Sequence, residues 1–166
     1  MQLDAEALVE TLAQKIGPLA PGVALVGIHS GGVWVAERLH AKLGCSEALG
    51  QLAVTLHRDD FARIGLHPQR KVTDMPFAVE GRHLILVDDV LNSGRTLRAA
   101  LNELFDFGRP ASVKLAVLAD RGGRELPFTA DYAAATLNLS PDERLHLKLQ
   151  DGRLVFDIAP HAGMPA

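Results

Sequence analysis

Leu84-Ile85-Leu86-Val87-Asp88-Asp89-Val90-Leu91-Asn92-Ser93-Gly94-Arg95-Thr96 is the stretch that decides how this chain reads. Apolar residues run into adjacent carboxylates. A short run of small hydrogen-bonding residues follows, and then Leu97, Ala100, Leu101, Leu104 and Phe105 at helical spacing. That order spells a buried strand over His83 to Val87, a tight turn, and an amphipathic helix from about residue 94 to 107. Ligands of open parallel sheets bind beyond the carboxyl ends of the strands. Asp88 and Asp89 are too polar to carry the strand on into the core, so they are expected at such an end. There they can accept hydrogen bonds from vicinal ribose hydroxyls. They can also help to hold a hydrated Mg²⁺, which favours one or two carboxylates plus waters and substrate oxygens.

Asn92 to Thr96 lead into the helix. The first amides of a helix lack internal partners and carry the positive end of its dipole, which suits a phosphate dianion. Gly94 permits close approach of the backbone, and Ser93 and Thr96 add hydroxyl donors. Arg95 either adds charge or sits on the helix surface. Each piece has a plain structural use as well, the Asp pair as helix entry and Ser93 and Thr96 as caps. The ordered string as a whole favours a sugar-phosphate cradle.

Outward from this stretch, Asp4 can cap a first helix with Ala5, Leu8, Val9, Leu12 and Ile16 on one face, ended by Gly17-Pro18. Val23 to Ile28 reads as a buried strand, Ser30-Gly31-Gly32 as a tight turn, and 33–43 as a helix closed by Gly44. Leu52 to Leu56 and Val113 to Leu118 are further strands. Short strands are expected over 131–137, 144–149 and 153–158. Gly108 and Pro110 end the central helix, and His161 to Ala166 read as a frayed tail. Arg58 to Val79 is rich in charge and proline with few apolar anchors, which in a compact domain marks a functional loop. The alternation of buried strands and helices predicts an α/β domain over residues 1–166, with a mostly parallel sheet covered on both faces.

A net charge of −3 gives no bulk attraction to nucleic acid or an anionic membrane. Cys45, the single cysteine, excludes an intramolecular disulfide and fits a buried thiol in a reducing cytoplasm. The acidic N-terminus does not resemble a signal peptide, and no apolar run approaches the roughly 20 residues of a membrane span. His29, His40, His57, His67, His83, His146 and His161 are scattered, without the paired spacing of a metal set. Trp34, early in its helix, reads as packing.

The central string resembles the phosphoribosyl pyrophosphate (PRPP) motif of the type I phosphoribosyltransferases. The likeness narrows with Gly108-Arg109-Pro110, Leu115-Ala116-Val117-Leu118, Asp120-Arg121-Gly122, Arg124-Glu125-Leu126-Pro127 and Ala130-Asp131-Tyr132. Val26-Gly27-Ile28 and Leu56-His57-Arg58-Asp59-Asp60 extend it. Together these resemble the PyrR family of pyrimidine attenuators that are also uracil phosphoribosyltransferases. The resemblance covers roughly residues 23–132. It implies the type I phosphoribosyltransferase fold, with a small hood and a flexible loop. It implies that Asp88, Asp89 and Asn92 to Thr96 bind the ribose and 5-phosphate of PRPP. It gives His29, Ser30, Gly31 and Gly32 to the pyrophosphate, and Asp120 and Arg121 to a base-binding hood. Arg58 becomes the lid residue that contacts pyrophosphate, and Mg²⁺ the cofactor, met by Asp88 and Asp89 through PRPP and waters. Two positions depart from the family: Gly31 stands where relatives usually carry arginine, and Gly123 where they commonly carry histidine. Beyond Tyr132 the family's Gly-Lys-Asn-x-Pro-Thr-Ser stretch becomes Ala134 to Ser140.

The expected activity is transfer of uracil to PRPP, giving UMP and pyrophosphate. The alternative is a UMP-responsive RNA-binding regulator of pyrimidine genes, with or without catalysis. RNA binding needs a basic face. Residues 1–37 hold Lys15 as their one basic residue against Asp4, Glu6, Glu10 and Glu37, which disfavours it. A sensor that binds PRPP or UMP without turnover is a third reading. A homodimer or larger homo-oligomer is expected, with helix 1 and helix 33–43 offering apolar surface to a partner.

Overall fold

A computed structural model describes residues 3–54 and 72–160. In chain order it contains α1 (Ala5–Ile16), β1 (Ala24–Ile28), α2 (Gly31–Leu43), β2 (Gly50–Leu52) and β3 (His83–Leu91). There follow α3 (Arg95–Phe105), β4 (Ser112–Asp120), β5 (Tyr132–Thr136), β6 (Glu143–Gln150) and β7 (Arg153–Pro160). The first five strands form a parallel sheet in the order β2-β1-β3-β4-β5. β6 and β7 pair as a separate antiparallel hairpin.

Local chemistry sets the helix ends. Asp4 accepts a hydrogen bond from the Ala7 amide at 3.1 Å and starts α1. Gly44 adopts a left-handed conformation that closes α2, its amide bonding the Ala41 and His40 carbonyls.

Period-two alternation divides the core between the sheet's faces. Leu25, Ile85, Val87, Ala116 and Leu118 face α1 and α2. Val26, Leu84, Leu86, Leu115 and Val117 face α3 through Leu97, Ala100 and Leu104. Leu145 of β6 packs with Ala119 and Leu137. This contact seats the hairpin over the carboxyl ends of β3 and β4, where it forms one wall of the site.

The structure corrects several expectations. β3 does not stop at Val87: it continues through the two aspartates to Leu91. Its ladder to β4 persists there, with Asp88 opposite Val117 and Leu91 opposite Asp120, so backbone pairing outweighs the polarity of the side chains. α3 ends at Phe105, and that phenyl ring is 53% exposed rather than inward-facing. The inner faces of α1 and α2 are buried in one cluster with the sheet, while Leu8, Ile16, Trp34 and Leu43 remain partly exposed. Cys45 is only partly buried, and burial raises its thiol pKa. β2 is placed at Gly50–Leu52, and Thr55 and Leu56 of the expected strand lie outside the described residues. Of the long loop, residues 72–79 are anchored: Asp74 bridges to Gln51, Val79 is buried, and Met75 and Phe77 pack on the core. The rest of that loop, Arg58 included, and the C-terminal tail lie outside the described residues. Among the described residues no helix is long and apolar enough to cross a membrane.

Candidate active site

Because β3 runs on through the acidic pair, its two carboxylates leave the strand toward different neighbours. Asp88 follows Leu84 and Leu86 toward the α3 face and lines a cleft of about 620 Å³. Asp89 follows Ile85 and Val87 toward α2, where its carboxylate lies against Gly31. Each carboxylate also turns back on the chain: Asp88 Oδ1 accepts from the Asp89 amide and Asp89 Oδ1 from the Val90 amide, both at 2.8 Å. Burial raises the Asp88 carboxyl well above its ordinary value, and the charge and hydrogen bond of Asp89 push it further the same way. Two carboxylates so placed repel one another until hydroxyls or a cation reach them.

His29, Ser30 and the first helical residues of α2, Gly31 and Gly32, approach the pair from one side, so the turn expected over 30–32 is partly taken up into the helix. The His29–Ser30 peptide is cis. The His29 ring shares a hydrogen bond with the Gln51 side chain at 3.0 Å, and Ser30 Oγ is buried without a partner. A β-carbon at Gly31 would meet Asp89 Oδ2, and one at Gly32 would meet the Val87 carbonyl oxygen. Glycine at 31 is therefore what lets Asp89 lie where it does. Trp34 packs against the core, as its sequence position suggests.

The cleft begins on the other side, where Asn92 to Leu97 form one wall and Arg121, Glu143, Arg144 and His146 part of the opposite one. Gly94 caps α3 with φ +94°, and a β-carbon there would come within 2.9 Å of the Phe128 ring. No side chain caps α3, although Ser93 Oγ accepts from the Arg95 amide at 3.2 Å. Arg95 itself is exposed and lies 3.4 Å from Glu125, the surface position allowed for it.

Asp120 and Arg121 follow β4. Partial burial alone would raise the Asp120 carboxyl. The Arg124 hydrogen bond, the Gly122 amide and the Arg124 charge together hold it below its ordinary value. Arg121 donates to the Glu143 carbonyl at 2.6 Å and the Ser140 carbonyl at 3.1 Å, tying the β4 end to the hairpin. Its Nε is buried without a partner. Gly123 has φ +74°, and a β-carbon there would lie 2.6 Å from Asn92 Oδ1. Glycine thus fits this backbone better than the family's histidine does.

The structure therefore gathers Asp88, Asn92 to Thr96 and Arg121 around one cleft and sets Asp89 and the 29–32 turn beside it. Glu143, Arg144 and His146 complete the wall without any signal in their sequence spacing. They are brought in by the hairpin's packing alone. Among the described residues no group of three or more His, Cys, Asp or Glu side chains is placed to hold a metal by itself.

Residues 2–138 match the phosphoribosyl transferase domain model. Bifunctional protein PyrR of Ralstonia nicotianae is 51% identical over 156 residues, covering 91% of this chain and 88% of its own. Bifunctional protein PyrR of Nitrosococcus oceani is 58% identical over 126 residues, covering 75% and 71%. Among solved structures, a hypoxanthine-guanine phosphoribosyltransferase from Bacillus anthracis superposes with a TM-score of 0.65 at 18% identity, over 84% of this chain and 85% of its own. A hypoxanthine phosphoribosyltransferase from Trypanosoma cruzi gives 0.63 at 23%, over 82% and 80%. These two likenesses speak to the fold.

Proposed function

We propose, for a chain that belongs to the phosphoribosyltransferase family and to its PyrR group, that it joins uracil to PRPP and releases UMP and pyrophosphate. The observation that carries this reading is the cleft in which a carboxylate, Asp88, shares one space with the helix start at Asn92 to Thr96. One feature suits ribose hydroxyls and the other a 5-phosphate.

In this reading Asn92 to Thr96 fix the phosphate end of PRPP, and Asp88 and Asp89 orient its ribose. Holding both ends sets C1 of the sugar toward the base pocket, converting an encounter into a positioned attack by uracil N1. As the C1–pyrophosphate bond breaks, positive charge grows on the ribose ring, and the Asp88 carboxylate in the cleft is the group given its stabilisation, with Asp89 beside it. The 29–32 turn receives the pyrophosphate, with Ser30 Oγ as a spare donor. Arg58 is given the pyrophosphate contact by the family resemblance alone. Asp120 and Arg121 shape the base side of the cleft. The donor set fits Mg²⁺: adjacent carboxylates in mutual repulsion, with substrate and water oxygens completing the shell. Bound there, the ion would neutralise the leaving pyrophosphate.

The test is to incubate the protein with Mg²⁺, PRPP and each nucleobase in turn. UMP from uracil supports the reading. Turnover of hypoxanthine or guanine with none of uracil would sink the pyrimidine assignment and leave the family's chemistry.

The relatives' bifunctional name keeps a second role in view, UMP-responsive RNA binding. The arginines that follow β4 speak against it here: Arg121 and Arg124 are committed to carbonyls and to Asp120. Titration of a pyrimidine-operon leader RNA, with and without UMP across a salt series, discriminates the two. Tight UMP-dependent binding would restore regulation.

A further inference from the structure

The segment after β4 wraps the turn before α3 and takes its carbonyls one after another. The Arg121 amide donates to the Leu91 carbonyl at 3.0 Å. Arg124 Nη1 donates to the Asn92 carbonyl at 2.9 Å. The Glu125 and Leu126 amides donate to the Ser93 carbonyl at 2.9 and 3.0 Å. In a trans peptide the N–H points opposite to the preceding C=O. Turning these carbonyls toward 121–126 therefore turns the amides of Asn92, Ser93 and Gly94 away from it. None of those amides has a hydrogen-bond partner in the chain among the described residues.

One of these bonds depends on a side chain. Arg124 uses all three guanidinium nitrogens: Nε donates to the Phe128 carbonyl at 2.7 Å, Nη1 to Asn92, and Nη2 to Asp120 Oδ2 at 2.6 Å. Phe128 in turn is the ring that lies over Gly94. The planar fork thus joins the β4 end, the phosphate turn and the ring that covers it. A lysine has one nitrogen and cannot span three acceptors in these directions.

We propose that Arg124 is a positioning residue for the 5-phosphate: it holds the turn 92–94 with its amides presented to an anion, without touching the anion itself. The inference rests on the assignment of Asn92 to Thr96 to the phosphate. It is tested by binding UMP and uridine, which differ only in that phosphate. In Arg124→Met the preference for UMP over uridine should shrink about tenfold, as loss of one charge-assisted bond implies, while uridine affinity stays put. Arg124→Lys should behave like Arg124→Met. Equal losses for both ligands, or a lysine variant with the unmodified protein's preference, overturns the proposal. Should Arg124→Met not fold, Arg124→Gln, whose single amide cannot span the three acceptors, takes its place, and an unchanged preference there overturns it equally. An unmodified protein that does not prefer UMP to uridine removes the phosphate assignment itself. That outcome is distinct from a preference present in the parent and untouched in the variants.

Discussion

The Asp89 carboxylate rests on the Cα of Gly31: a β-carbon there would lie 2.7 Å from Asp89 Cγ and nearer still to Oδ2. The carboxylate sits between the acidic strand end and the turn assigned to pyrophosphate. Replacing Gly31 by alanine must push Asp89 aside. Gly31→Ala is therefore expected to raise the KM for PRPP about tenfold through misplacement of one ribose-side group, with the KM for uracil unchanged. Steady-state kinetics with each substrate varied in turn checks this. An unaltered KM for PRPP would mean that Asp89 has room to move.

Asp88 opposes the fold in the absence of ligand. Its carboxyl is raised above the ordinary 3.8, first by burial and then by Asp89. The folded chain therefore binds a proton that the unfolded chain has released. Stability is full below 3.8 and declines as pH rises from there through the raised value. Asp88→Asn should flatten that decline and stabilise the ligand-free protein near neutral pH by about 1 kcal/mol. The same variant should lose about a hundredfold or more in transfer rate. Thermal melts from pH 4 to 8, with and without the substitution, measure the first effect, and an initial-rate assay the second.

The opposite sign holds at Asp120. Despite its partial burial, Arg124 and the Gly122 amide keep the carboxyl below 3.8. The stabilisation is present above that value and is lost as pH falls through the lowered one. Asp120→Asn should therefore destabilise the chain near neutrality, by about 0.5–1 kcal/mol for a partly exposed pair. The difference between variant and parent should vanish in strong acid. Urea titrations at pH 7 and at successively lower pH down the acid limb give both numbers.

Gly94→Ala tests the phosphate turn without changing charge. The residue combines φ +94° with a β-carbon site 2.9 Å from Phe128. Strain and overlap together should cost about 1–3 kcal/mol and weaken UMP more than uridine. Chemical denaturation and calorimetric titration of both ligands would show it. A stable variant with full UMP affinity would require the turn to have another backbone conformation.

Chelation separates the metal from the scaffold. Among the described residues no cluster holds an ion without substrate. EDTA should abolish transfer yet leave the melting temperature of the ligand-free protein unchanged. Restoring Mg²⁺ should restore the rate. A melt lowered by EDTA alone would reveal a structural metal.

Helix α1 and its caps, the strand before the aspartates and the helix after Gly94 were all legible in the sequence, because each follows from apolar spacing and local capping chemistry. The strand's continuation through Asp88 and Asp89 was not. Its cause is hydrogen bonding to β4, a partner some thirty residues away that no local pattern names. Apolar stripes on α1 and α2 were visible, but a stripe does not say whether it meets the sheet or a second chain. The hairpin's contribution of Glu143, Arg144 and His146 was invisible for a similar reason. Their aim depends on Leu145 packing against Ala119 and Leu137. Arg124 stood in plain sight inside Arg-Glu-Leu-Pro, yet its partners Asn92, Asp120 and Phe128 come together only in space.

The extension of β3 through its acidic end turns parity into chemistry. Side chains on a strand face alternate ways, so which aspartate meets the cleft and which meets Gly31 depends on whether an even or an odd number of residues precedes them in the strand. Deleting one residue between His83 and Val87 would keep every functional group and turn each carboxylate to the opposite face of the sheet. Deleting two would restore the faces but draw both carboxylates about 7 Å back, to the buried positions of Leu86 and Val87. The site should consequently tolerate changes of side chain along β3 far better than any change in their count.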